Sequence, residues 1–174
     1  GGDSHGAAGF IVTGSRLPMA VTALLAGAGL AVSGLMLQTS FRNPLAGPSI
    51  LGITSGASLG VALVMLLFGG SVVVGTLTVG GYAAVILGAF VGSLLIMALL
   101  LGLSTMLKTD LMLLITGIMI GYLASSVIML LNYVSTAEGV QNYVMWGMSS
   151  FNGVSLNQLP LFSAITLGGI FLSL

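Results

Sequence analysis

Residues 17–40 read LPMAVTALLAGAGLAVSGLMLQTS, and with Phe41 they make a stretch of 25 uncharged residues between Arg16 and Arg42. A helix that crosses a bilayer needs about 20 predominantly apolar residues. One Lys, Arg or Asp at its centre costs about 2.5 to 3.5 kcal/mol, against about 0.5 kcal/mol returned by each central leucine. Charges must therefore mark borders, and residues 17–40 predict a transmembrane helix. The same rule divides the rest of the chain. The 65 uncharged residues between Arg42 and Lys108 fit two helices, about 50–68 and 82–104, joined by the Gly-rich, β-branched stretch 69–81. The 27 between Asp110 and Glu138 fit a fourth, about 111–133, and the last runs from about 157 to 174. The expectation is an all-α polytopic transmembrane helical bundle, a single transmembrane domain over 1–174 with about five spans.

Composition leads to the same class from another direction. The 174 residues carry three Lys or Arg and three Asp or Glu, 57% of them are hydrophobic, and 27 more are glycine. A soluble domain is about 25% charged, which its surface needs to stay dispersed. Here the solvent is expected to be lipid. Three scattered cations give no basic stripe for nucleic acid. No cysteine is present, which removes disulfide scaffolds and thiol chemistry, and the lone His5 with so few carboxylates cannot assemble a metal cage. No G-x-x-x-x-G-K-[ST] loop occurs, so no nucleotide is held in that manner. Neither a catalytic centre nor a cofactor or metal site is expected, and the chain is not read as an enzyme.

Five spans fix a topology. Arg42 and Lys108 lie two spans apart and share one membrane face, whereas Arg16 lies on the other. The cation excess stays in the cytoplasm, which puts Arg42, Lys108 and Asp110 inside and Arg16 and Glu138 outside. Tyr82, Tyr133, Tyr143 and Trp146 then all fall at outer ends, where amphipathic rings favour the headgroup layer. The chain opens on Gly1-Gly2 without an initiator Met or a charged leader, and so reads as an excised segment.

Small residues recur four apart in each complete span: Ala23, Gly27 and Ala31; Gly52, Gly56 and Gly60; Ala84, Gly88 and Gly92; Gly117, Gly121 and Ser125. Such a series makes a groove that lets a neighbouring backbone approach, the main means by which helices associate in lipid. Tight packing is the first role expected of these glycines. The segment 41–48, FRNPLAGP, interrupts the helical pattern, because two prolines remove donors and drive their predecessors out of the helical region. It is expected at the inner surface or buried against protein, as an ordinary loop or as a constriction. The Ser and Thr residues inside the spans, Thr22, Ser33, Thr54, Ser55, Ser58, Ser93, Thr116, Ser125 and Ser126, are expected to bond their own helices. Gln38 and Asn132 lie near span ends, within reach of water. No carboxylate or cation falls inside a span, which argues against proton-coupled pumps and voltage sensors. The ten methionines are dispersed and read as adaptable packing.

Specific strings then carry a resemblance. Arg16-Leu17-Pro18, residues 27–38 (GAGLAVSGLMLQ), 42–48 (RNPLAGP), 51–57 (LGITSGA) and 143–154 (YVMWGMSSFNGV) strongly resemble the permease family of ABC importers that take up iron-siderophores, haem and cobalamin. The resemblance covers about residues 10–174. It implies a partial type II importer permease fold, spans two to six of ten, in a multi-pass subunit of the bacterial inner membrane. It also implies a homodimer with a second permease copy, cytoplasmic ATPase subunits that supply the work, and a periplasmic substrate-binding protein that delivers the cargo. By the same resemblance, gating regions carry over onto Asn43 and Leu45 and onto Thr109 and Asp110. The fourth helix, around Gly117, Gly121 and Ser125, corresponds to one lining the pathway, and Arg16 to a residue that docks the binding protein. Met19 stands where many members have a second arginine. The coupling helices that grip the ATPase would follow Leu174. The competing expectations are a secondary transporter, which would carry a coupling carboxylate within a span, and a structural membrane scaffold, which would not need the Asn43-Pro44 turn.

Overall fold

The computed structural model describes residues 12–69, 71–74, 77–107, 109–148 and 159–173. Lys108, residues 149–154 of the aromatic run, both ends of the last expected span at 157–158 and 174, and the segment before Val12 lie outside the described residues. In chain order the elements are α1 (Leu17–Ser40), α2 (Ile53–Ala62), β1 (Ser71–Val74), β2 (Leu77–Gly80), α3 (Tyr82–Ser104), α4 (Asp110–Val134), α5 (Ala137–Gly147) and α6 (Leu159–Ser173). A π-helical turn, Val12–Arg16, leads into α1, and a second, Leu63–Leu67, prolongs α2. The fold is a polytopic helical bundle. Among the described residues three helices are long and apolar enough to cross a membrane, namely α1, Ala83–Ser104 and Asp110–Val134, while Ile53–Leu67 and Phe162–Ser173 are shorter apolar helices.

The chain divides into two compact units, residues 1–36 with 149–174, and residues 37–148. In the first, α1 packs on α6: a Cβ placed on Gly29 would meet Thr166 Cγ2 at 3.4 Å. Thr22 on α1 is 3% exposed and its Oγ1 has no hydrogen-bond partner.

The second unit holds two apolar clusters. One joins Ala46 and Leu51 of the Pro-rich turn to Leu100 near the end of α3 and Leu114 near the start of α4. The other joins Val61 and Val64 to Ala84 and Val85 at the start of α3, with Tyr143 of α5 packed against it. One cluster lies at each end of the α2–α3 pair.

Three local features depart from the sequence reading. The second helix begins at Ile53 rather than near Ile50, because Gly52 is left-handed (φ 74°) and stops the short turn before it. Ile53 N–H donates to Pro48 O and Gly52 N–H to Ser49 O, the paired bonds of a Schellman stop, after which Gly56 N–H donates to Gly52 O and the helix proper begins. The connector 69–81 is an antiparallel hairpin, Ser71 opposite Gly80 and Val74 opposite Leu77. Its run of β-branched residues suits paired strands better than coil. The third feature is α5, 11 residues absent from the sequence reading. A search for apolar stretches of about 20 residues passes over so short a helix. The local signal is nevertheless present: Thr136 caps it by accepting from Gly139 N–H at 3.2 Å, and Glu138 occupies its first turn.

Candidate functional site

The second unit is organised by backbone contact between helices. A Cβ on Gly60 would lie 2.7 Å from the Gly88 carbonyl carbon and nearer still to its oxygen, and one on Gly56 would lie 2.7 Å from Gly92 O. Gly56 faces Gly92 and Gly60 faces Gly88, a reversed order that makes α2 and α3 antiparallel. Against α4 the order is direct: Leu51 meets Gly117, and Gly52 and Ser55 meet Gly121. So α2 runs parallel to α4 and is held on two sides by glycines. Gly27 differs, because nothing lies within 4 Å of a Cβ placed there.

The Pro-rich turn is locked into one shape. At the end of α1, Asn43 N–H donates to Gln38 O and Arg42 N–H to Thr39 O, the Schellman pair again, with Arg42 left-handed at φ 45° where glycine is usual. Asn43 Oδ1 then accepts from Leu45 N–H at 2.9 Å, an Asx turn that leads the chain past Pro44. Ala46 is buried at 2% exposure while Leu45 beside it is 72% exposed. The residues singled out as a gate therefore split: Asn43 shapes the turn, and Leu45 offers its side chain outward.

Thr109 and Asp110 open α4. Thr109 Oγ1 accepts from Met112 N–H at 3.3 Å as the N-cap, and Asp110 sits in the first turn, where the helix dipole favours an acid. One turn further, Leu114 shares the buried cluster with Ala46, so the turn and the α4 start are packed at the same end of the unit. Gly117 is buried and Gly121 half-buried against α2. Ile118, Met119, Tyr122 and Met129 cover other faces of α4 and are exposed. Ser125 Oγ donates to Gly121 O at 2.9 Å. Ser33, Ser93, Thr116 and Ser126 likewise donate to carbonyls three or four residues back, as expected of hydroxyls in apolar helices. Asn132 does not reach water as its position suggested: its Nδ2 donates to Ile128 O and its Oδ1 is buried without a partner.

Thr54, Ser55 and Ser58 of α2, Ser125 of α4 and Tyr143 of α5 line a hydroxyl-rich notch of about 320 Å³. Burial pushes the Tyr143 phenol above its ordinary range. A larger cavity, about 500 Å³, opens between α5, Met65 and the two ends of the hairpin. The α4–α5 elbow beside it is tied down, since Ser135 Oγ donates to Leu66 O at 2.9 Å. A Cβ on Gly139 would come within 2.8 Å of Ser135 Oγ and 3.4 Å of Met65 O, so a larger residue there would press on the Ser135 hydroxyl. Arg16, the last residue of the π turn before α1, is exposed. Among the described residues no group of three or more His, Cys, Asp or Glu side chains converges.

Helices long and apolar enough to cross a membrane, backbone-close crossings and a proline-broken turn between two of the helices define a polytopic helical bundle. The chain matches the profile of the FecCD transport family over residues 2–174, and it belongs to that family. Among curated relatives it is 38% identical over 151 residues to the vitamin B12 import system permease protein BtuC of Yersinia enterocolitica, and 37% over 150 residues to the protein of that name in Klebsiella pneumoniae. Each alignment covers 86% of this chain and 43% of the relative, so the chain spans less than half the length of the proteins it matches. A solved structure described as an inward-facing conformation of a metal-chelate type ABC transporter superposes with a TM-score of 0.77 at 34% identity, over 91% of this chain and 47% of that one.

Proposed function

We propose that the chain is part of the transmembrane permease of a binding-protein-dependent ABC importer, carrying cobalamin or an iron chelate such as a siderophore or haem across the bacterial inner membrane. Cobalamin is the cargo to test first, because the named relatives import it. The observation that carries the reading is a pair of matches, over 86% and 91% of this chain and each at better than 30% identity, to a cobalamin permease and to a metal-chelate transporter. Hydrolysis of ATP belongs to separate cytoplasmic ATPase subunits, and a periplasmic binding protein delivers the cargo to the permease homodimer.

The geometry supports a division of labour. Gly117 and Gly121 fix α4 against α2 through backbone contact, which leaves the exposed face of α4 to border the pathway together with Ser125. Asn43 holds the turn that displays Leu45, and Thr109 with Asp110 starts α4 beside it, so the gate is two rigid ends meeting rather than a loop. Arg16 lies at the outer end of α1, where it docks the binding protein. The five apolar helices are the spans, of which Ile53–Leu67 and Phe162–Ser173 are the shorter ones.

The test uses the full-length subunit with its ATPase and binding protein in proteoliposomes, scoring ATP-dependent accumulation of radiolabelled cobalamin and, in parallel, iron chelates. Accumulation of one of these cargoes is expected, and Gly121→Leu abolishes it while the ATPase still co-purifies. Uptake that persists without ATP but collapses with the ion gradient would overturn the proposal in favour of a secondary transporter.

A further inference from the structure

The larger cavity of the second unit has a composition its surroundings lack. Glu138, Asn142 and Trp146 line it from successive turns of α5, spaced four apart, so a carboxylate, an amide and an indole share one stripe of one helix. Gly69 and Gly81 line it too, both at positive φ (60° and 61°) and both with nothing within 4 Å of a built Cβ, which leaves that wall as bare backbone. Trp146 is held by a stacked contact with Tyr143, ring centroids 6.1 Å apart. Glu138 is one of only three acidic side chains in the chain.

A carboxylate, an amide, exposed backbone and an aromatic ring around about 500 Å³ suit a lysine or arginine head group. The carboxylate gives a charge-assisted bond, and the indole gives a cation–π contact that strengthens as water leaves. From this geometry we infer that the α5 cavity receives a cationic side chain of the periplasmic binding protein when it docks. This rests on the importer proposal and on its topology, which puts Glu138 outside. The competing explanation is local, since an acid in a first helical turn also stabilises that turn.

The test measures binding-protein affinity for the full-length subunit, assembled with its ATPase in nanodiscs, by surface plasmon resonance at 50 and 300 mM salt. Glu138→Gln is expected to weaken docking about tenfold at low salt and to flatten its salt dependence. Glu138→Lys is expected to weaken it about a hundredfold, and Trp146→Leu about fivefold, with ATPase activity in the absence of binding protein unchanged. Unaltered docking by Glu138→Lys overturns the inference. A double variant, Ala137→Glu with Glu138→Gln, keeps an acid in the first turn but moves it off the cavity stripe. Recovery of wild-type affinity there assigns Glu138 to helix capping and also overturns the inference. If the unmodified subunit binds no binding protein at all, the importer proposal fails, and the inference with it.

Discussion

The closeness of α2 and α3 can be tested as a number. Gly60→Ala would place a methyl group 2.7 Å from the Gly88 carbonyl carbon and 3.3 Å from Gly92 Cα, where carbon atoms ordinarily keep about 3.5 to 4.0 Å. Both partners are backbone, so neither can rotate aside and the helices must separate by about 1 Å. Overpacking of this kind costs about 1 to 3 kcal/mol. The matched control is Gly27→Ala on α1, where nothing lies within 4 Å and the helix gains about 0.5 to 1 kcal/mol from alanine. The two substitutions add the same atom, yet should differ by about 1.5 to 4 kcal/mol, or roughly 10- to 700-fold in the folded-to-unfolded ratio. Steric-trap unfolding of the full-length subunit in bicelles measures this directly. Equal stability of the two variants would refute the backbone contact and with it the antiparallel α2–α3 register.

Other outcomes follow from single features. Arg42→Gly should raise stability by about 1 kcal/mol in the same assay, because it relieves a left-handed residue, whereas Arg42→Ala should give no such gain. Thr136→Ala removes the cap of α5 and should cost about 1 kcal/mol, seen as faster amide exchange confined to residues near the α4–α5 elbow. Asn43→Ala breaks the Asx turn and should impair uptake by the full-length subunit more than Leu45→Met, which preserves size and apolarity.

The helices were legible because charge is prohibitive in hydrocarbon: the borders drawn from Arg16, Arg42, Asp110 and Glu138 fall within a few residues of where α1 and α4 begin and end. Where the rule gave no purchase, reading was poorer. The start of α2 depends on the conformation of one glycine, Gly52, which a hydropathy pattern treats as merely small. The hairpin and α5 are too short to register against a 20-residue template, although the valine run and the Thr136 cap are there to be read. The four-residue spacing of glycines identified grooves but not their occupants. Gly56, Gly60, Gly88, Gly92, Gly117 and Gly121 meet backbone and Gly27 does not, a distinction set by neighbours far away in the chain. The large cavity could not be foreseen at all, because its walls come from α5, the glycines flanking the hairpin, the start of α3 and the π extension of α2, which only folding brings together.

The glycine-to-glycine register of α2 and α3 bears on how the protein is made. The two helices are consecutive, joined by the 19 residues 63–81 that include the π turn and the hairpin, and each supplies the groove into which the other fits. Nothing from later in the chain is needed to form that contact. They can therefore leave the insertion machinery as a paired hairpin of helices, already seated, against which α4 settles as it is synthesised.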